Sequence, residues 1–232
     1  MKRIVFTCVM MAGAIAMCAQ NYLGIQVGFA QSTSRLNAPV EGKVTVLNPT
    51  IYNGLKLGFV YDASIIKGFG VTMGLNYTLG ANVTDWTQKY STAIYPKVRS
   101  KGQYHQVEIP VDWQYKFEIA KRTWLIIYTG PTLQCGLLLK DKWYVNDGNN
   151  ISFTHEEDIY SEEDMKDYAL KRVNVTWGVG AGFQYERYFL RGGYDFGLIN
   201  PYKAQTFLGK DIYTRGRFDQ WQIKLGMYLG EH

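Results

Sequence analysis

Residues Tyr104 to Phe117 read YHQVEIPVDWQYKF, and the fold turns on how they are read. From Gln106 onward polar and apolar side chains alternate. Val107, Ile109, Val111, Trp113, Tyr115 and Phe117 fall on one side. Gln106, Glu108, Asp112, Gln114 and Lys116 fall on the other, with Pro110 among them. A period of two is a strand whose faces meet different surroundings. The apolar face is long and ends in aromatics, while the opposite face carries charges of both signs. A soluble sandwich strand buries its apolar face and wets the other. A strand of a membrane barrel turns the apolar face to lipid and the polar face to the lumen.

The same alternation recurs in seven other stretches. Toward the N-terminus they are Phe69–Gly80, Gly54–Ala63 and Tyr22–Ala30; toward the C-terminus, Trp124–Leu138, Arg172–Glu186, Tyr188–Leu198 and Phe218–Leu229. Short turns at Ser64–Gly68, Glu118–Thr123 and Glu186-Arg187 alternate with long connections at Gln31–Asn53, Ala81–Gln103, Leu139–Leu170 and Ile199–Gly216. A sandwich has no reason to gather every long loop at one end. The pattern predicts an all-β fold, an eight-stranded antiparallel transmembrane β-barrel with short periplasmic turns and long extracellular loops. Tyr61, Phe69, Tyr115, Phe117, Trp124, Tyr185 and Tyr188 flank the short turns, where a membrane interface would hold a girdle of aromatics. Many of the 24 glycines share the charged face, as a narrow lumen requires. A soluble lipocalin-like ligand-binding barrel would show the reverse polarity, apolar within and polar without.

The chain opens Met1-Lys2-Arg3 and runs apolar from Ile4 to Ala19, which predicts a signal peptide over 1–19 and a single barrel domain over 20–232. That apolar run is shorter than the ~20 residues of a spanning helix. Ala16-Met17-Cys18 offers a lipoprotein alternative, against which Met17 is not small. Loss of residues 1–19 removes Cys8 and Cys18, leaving Cys135 and no disulfide framework. The formal charge of +5 then falls to +3 with the loss of Lys2 and Arg3, which is no nucleic-acid signature.

Glu108-Ile109-Pro110 with Tyr115-Lys116-Phe117, Tyr128-Thr129-Gly130-Pro131, Gly178-Val179-Gly180-Ala181-Gly182 and the run RGGYDFGLIN from Arg191 to Asn200 resemble the PorT-like outer-membrane β-barrel family of Bacteroidota. The resemblance covers nearly all of the mature chain and implies the barrel more than any activity. The family's namesake is an accessory of a gliding-associated secretion system, so an envelope or secretion-complex protein is an implied partner. The chain departs from outer-membrane barrels at its end, Tyr228-Leu229-Gly230-Glu231-His232, which lacks a terminal aromatic.

Seven charged residues fall on lumen positions: Lys56, Glu108, Asp112, Lys116, Arg191, Asp195 and Lys224. Eight strands leave little room for a pore, and buried charge must be paired, so these residues read as a structural plug rather than a path for a solute or proton. Asp112 is expected to pair with Arg191 or Lys224. Pro110 and Pro131 sit mid-strand and predict a bulge or kink at each. The acidic run His155-Glu156-Glu157-Asp158 reads as a solvated loop, and Ser161-Glu162-Glu163-Asp164 as a capping box starting a helix from Glu162 to Leu170. No calcium-loop spacing is present, and no cofactor or metal is expected. An enzyme acting on lipid or peptide at the extracellular rim would draw on His105, His155, Asp85 or Ser152, with His232 at the tail. These residues form neither H-E-x-x-H nor G-x-S-x-G, so no catalytic residue is assigned. Trp86, Tyr90, Tyr95, Trp143, Tyr144 and Tyr160 populate the long connections and suit either a partner interface or the lipid head-group layer. The expected role is structural, adhesive or accessory, acted out through the extracellular loops.

Overall fold

The computed structural model describes residues 20–40, 43–46, 50–83, 87–88, 97–146, 150–161, 170–202, 205–207, 210–212 and 215–229. Among the described residues it holds thirteen strands and no α-helix. In chain order the first seven are β1 (Gln20–Val40), β2 (Lys43–Val46), β3 (Thr50–Ile66), β4 (Phe69–Val83), β5 (Thr87–Gln88), β6 (Lys97–Ala120) and β7 (Thr123–Asn146). The remaining six are β8 (Ile151–Asp158), β9 (Val173–Tyr185), β10 (Tyr188–Gly197), β11 (Gln205–Phe207), β12 (Lys210–Ile212) and β13 (Arg215–Leu229).

Eight of these close a ring. β1, β3, β4, β6, β7, β9, β10 and β13 each pair antiparallel with the next, and β13 returns to β1 from Leu23 opposite Leu229 to Asn37 opposite Arg215. Closure leaves this wall without an unpaired edge. Its polarity is inverted relative to a soluble protein. Along β6, Ile109, Trp113, Tyr115 and Phe117 are 40–44% exposed, while Glu108, Asp112 and Gln114 are 1–6% exposed. The ten steps from Val107 to Phe117, at ~3.3 Å each and ~40° of tilt, cover about 25 Å of height, the thickness of the apolar band on such a wall. Trp177 and Trp221, on that outer face, give their indole N–H to Thr129 Oγ1 and Gln31 Oε1, both at 2.8 Å, so neither donor meets hydrocarbon unsatisfied.

The strands outrun the alternating stretches at the extracellular end. Tyr104–Phe117 lies within the 24 residues of β6, Trp124–Leu138 within the 24 of β7, and Tyr22–Ala30 within the 21 of β1. Lys97–Gln103 and Lys140–Asn146 therefore rise above the wall as a ribbon, on whose edge β8 pairs. His155-Glu156-Glu157-Asp158, expected as a loop, is strand instead, because residues 151–158 find backbone partners on β7. The helix expected from Glu162 lies outside the described residues, as do Asp85, Trp86, Tyr90, Tyr95, His232 and the predicted signal peptide. Leu170, the last residue of that span, is described and bridges to Tyr202.

The prolines make no bulge. The β6–β7 ladder passes from Pro110 opposite Thr132 to Trp113 opposite Thr129 in one register, and Pro131 stands in ladder opposite Trp177. Pro110 is accommodated by skipped rungs on both sides, and Gly130 lets the chain close over the gap: a Cβ there would lie 2.0 Å from the Val111 carbonyl oxygen. The bulge of this strand pair sits higher, at His105/Gln106, and keeps Leu137 and Leu138 both outside. At the periplasmic end, Gly68 (φ +84°) and Arg122 (φ 59°) each take the left-handed position beside a register shift, a three-residue hairpin design in which only Gly68 is a glycine. Tyr115 and Phe117, 4.6 Å apart, lie on the girdle face as expected. Trp124 does not, since it shares the inward parity of Ile126 and Tyr128 and lines the periplasmic mouth.

Candidate functional site

The lumen is filled in two layers. The lower one centres on Asp62. Its Oδ1 accepts from Gln114 Nε2 at 2.7 Å. Its Oδ2 accepts from Lys116 Nζ at 2.7 Å and from the Tyr228 hydroxyl at 2.5 Å, with Arg191 Nη2 at 3.7 Å. Arg191 also donates to Thr72 Oγ1, Gln114 Oε1 and the Tyr228 hydroxyl, and it lies over the Phe189 ring at 5.2 Å. The upper layer centres on Glu108, which accepts from Lys56 Nζ at 2.5 Å, Thr78 Oγ1 at 3.0 Å, Gln106 Nε2 at 3.1 Å and Gln220 Nε2 at 3.2 Å. Lys56 donates onward to Gln222 Oε1, and Gln222 to Asp195 Oδ2. A network of this kind satisfies most of the charges within it, each of which would be costly alone, although Arg191 Nε is left without a hydrogen-bond partner among the described residues.

Each residue expected in the lumen is there, but the pairing differs. Arg191 turns to Asp62 rather than Asp112, and Lys224 reaches neither Asp112 nor Asp195 within ion-pair distance among the described residues. Asp112 and Asp62 stand opposite the same Thr72 from either side of β4, and the shorter reach for Arg191 is to Asp62. Counting Asp62, four cations (Lys56, Lys116, Arg191, Lys224) face four carboxylates (Asp62, Glu108, Asp112, Asp195), so the formal charges of this set cancel. A fifth buried carboxylate, Asp219, is met at the upper rim by Arg217 at 2.8 Å and Arg35 at 3.8 Å. Asp62, Tyr228 and Gln220 were not singled out in the sequence, although all three occupy inward positions of their alternating strands.

Both mouths have their own character. Tyr52, Tyr104, Leu139, Ile159, Leu170 and Tyr202 pack into an apolar cap over the extracellular end. Tyr104 hydrogen-bonds Ser32 and Tyr202 hydrogen-bonds Ser34, each at 3.1 Å. The cavity beneath the cap is about 30 Å³, room for a single water. The periplasmic mouth is an open vestibule of about 650 Å³, with Tyr22, Lys67, Lys116, Glu118, Trp124 and Gln184 in its lining.

The rim candidates for catalysis are dispersed. His105 is on the outer face against the Tyr77 hydroxyl. His155 is on the inner face of the ribbon, stacked on Trp143 at 6.3 Å and bound to Glu157 Oε1 at 2.9 Å. Neither is hydrogen-bonded to a serine among the described residues. Glu156 pairs with Lys140 at 2.7 Å and Lys142 at 3.2 Å, and both cations hold its carboxyl below the usual range. Asp141, on the ribbon's inner face, has its carboxyl pushed up to about 6 by burial and by the neighbouring charge of Glu157. Among the described residues no group of three or more His, Cys, Asp or Glu could hold a metal ion.

A closed antiparallel wall, apolar without and charged within, is a transmembrane β-barrel. The chain belongs to the outer membrane protein beta-barrel domain family, whose model matches residues 18–202, and the outer membrane is its place. Similar solved structures include Ail, the attachment invasion locus protein of Yersinia pestis (12% identity, 90% of this chain and 99% of that one, TM-score 0.41). OprG from Pseudomonas aeruginosa (12%, 91% and 97%, TM-score 0.45) and Neisserial surface protein A (12%, 89% and 97%, TM-score 0.39) are also similar. No curated protein matches the chain.

Proposed function

We propose that this protein is a non-conducting outer-membrane barrel that works from its extracellular side. Its role is adhesion, envelope integrity, or accessory contact with a secretion or envelope complex. The observation that carries this reading is the filled lumen. Lys56, Glu108, Asp112, Lys116, Arg191, Asp195 and Lys224, with Asp62, act as a structural plug, and the tyrosine cap closes the end above it. The ribbon of β6, β7 and β8 is then a described part of the chain that projects beyond the wall on that side. Dispersal of His105, His155 and Ser152 supports a role without catalysis. The PorT-like resemblance favours the accessory form.

Two measurements test this. In planar bilayers the protein should give no steady single-channel current, and a stable conductance would sink the plug. Cross-linking in native outer membrane followed by mass spectrometry should then separate the roles. A recurrent protein partner supports the accessory reading, and isolation without contacts supports a structural or adhesive barrel. Loss of lipid remodelling on whole cells in the His105→Ala and His155→Ala variants would replace both with an enzyme.

A further inference from the structure

The outward face of the ribbon continues the lipid-facing side of the wall, and it is basic. Parity along β6 carries the side of Val107 up through His105 and Gln103 to Lys101, Arg99 and Lys97. The bulge on β7 restores parity so that Lys140 stands opposite Gln103, and Lys142 opposite Lys101, on that same side. Five cations thus face sideways, over the membrane, rather than upward. Among the described residues, the acidic neighbours on the same side across β7–β8 are Glu156, opposite Lys142, and Asp158, opposite Lys140. On this face the described residues of β6, β7 and β8 carry five cations and two carboxylates.

Height places this strip. Leu79, Leu137 and Leu138 end the apolar band beside His105. With ~3.3 Å per residue and ~40° of tilt, Lys140 stands about 5 Å above that level, Lys101 and Lys142 about 10 Å, and Arg99 about 15 Å. The head-group layer on one side of a bilayer is about 5–8 Å deep, and lysine stems reach down toward it. Tyr144, opposite Arg99, holds the Lys101 ammonium 5.1 Å from its ring centre and touches Phe153, an aromatic pair suited to the same interface.

Glu156 supplies the second observation. Its two oxygens draw the Lys140 and Lys142 ammonium groups together, so the strip already converges on one oxyanion, at a partly exposed position. A phosphate there would meet the same two donors and add charge.

We propose that the outward face of β6 and β7 binds the phosphate groups of the outer leaflet's phosphorylated glycolipid. Lys101, Lys140 and Lys142 form the core of the site, and Glu156 acts as its internal competitor. Continuity with the apolar band selects a lipid over a soluble anion, because the acyl chains of such a lipid lie against Val107, Leu137 and Leu138 directly beneath its phosphates.

The test uses the full chain in phosphatidylcholine nanodiscs containing bis-phosphorylated lipid A, dephosphorylated lipid A or neither, with bound lipid counted by native mass spectrometry. Each lysine near an anionic surface contributes a factor of about five, so the phosphorylated form should be retained at least tenfold over the dephosphorylated one. K101E/K142E should lose that preference. E156Q should strengthen it a few-fold, and K121E at the periplasmic turn should leave it unchanged. Both lysines of the double variant are partly exposed, so its heat-modifiable gel mobility should match wild type; K101Q/K142Q serves as a milder version if it does not. Equal retention of both lipids, or full retention by both lysine variants, overturns the proposal. So does displacement by excess inorganic phosphate, which would assign the cations to a soluble anion.

Discussion

Removing the Asp62 carboxylate should be among the most damaging single changes in the lumen. Asp62→Ala deletes the acceptor for Gln114, Lys116 and Tyr228 and the nearest carboxylate of Arg191. Hydrogen bonds to a charged group contribute about 1.5–3 kcal/mol each, but these losses overlap. Arg191 keeps Thr72, Gln114 and Tyr228, and Lys116, at 10% exposure, can turn toward vestibule water. Breaking one side of a buried ion pair costs about 3–5 kcal/mol, and the lower half of that range suits these compensations. Asp112→Ala removes a buried carboxylate that no hydrogen bond or ion pair holds among the described residues, and should cost under about 1.5 kcal/mol. Urea titration of the two variants in vesicles, read by intrinsic fluorescence and by heat-modifiable gel mobility, gives both numbers. Equal losses for the two, or a loss under about 1 kcal/mol for Asp62→Ala, would refute the lower layer as drawn.

Other consequences are as direct. Gly130→Ala puts a Cβ 2.0 Å from the Val111 carbonyl and 2.7 Å from Asp112 Cα, backbone that cannot yield, so it should cost more than ~3 kcal/mol or abolish the heat-modifiable form. Gly192→Ala, whose Cβ meets nothing nearer than 3.9 Å, should stay within about 0.5 kcal/mol of wild type in the same titration. Asp141 binds its proton more tightly folded than unfolded, so its stabilising contribution is complete below pH ~4 and disappears as pH rises through about 6. Amide exchange in the ribbon, corrected for intrinsic rates, should show more protection at pH 5 than at pH 7, by about 1 kcal/mol. Asp141→Asn should remove that slope; a slope that survives would clear Asp141. Arg122→Ala breaks an ion pair whose partners are 66% and 38% exposed and should change stability by less than about 1 kcal/mol.

The wall was legible because lipid and lumen impose opposite demands on neighbouring residues. Val107 to Phe117 shows that contrast at every step but Pro110, and its inside and outside could be assigned without a structure. Above the wall the contrast disappears. Lys97–Gln103 and Lys140–Asn146 mix polar residues with Val98, Trp143, Tyr144 and Val145 without an apolar face opposed to a polar one, so nothing in their pattern separates strand from loop, and β8 is decided by backbone pairing with β7. The lumen was legible as a set of residues but not as a set of contacts. Parity puts Asp62 and Tyr228 inside, yet which carboxylate Arg191 meets depends on the stagger between β3, β6 and β10, which no single strand encodes. Trp124 is a similar case: its position beside a short turn suggested the girdle, and one residue of phase sent it into the vestibule. Pro110 failed as a bulge signal because Gly130 on the neighbouring strand allows the backbones to draw close without a register change.

The pairing of β1 with β13 has a consequence for assembly. Every other pairing of the ring joins strands that follow one another in the chain among these eight, whereas Leu23 meets Leu229 across 206 positions. The local hairpins can zip as they appear, but the seam needs the two most distant strands to meet, and contacts of such high sequence separation are slow to form. Until they do, the curved sheet carries two open edges, at β1 and β13. Truncation within Arg215–Leu229 would therefore do more than shorten one strand: it would hold the whole molecule in its adhesive, half-made state.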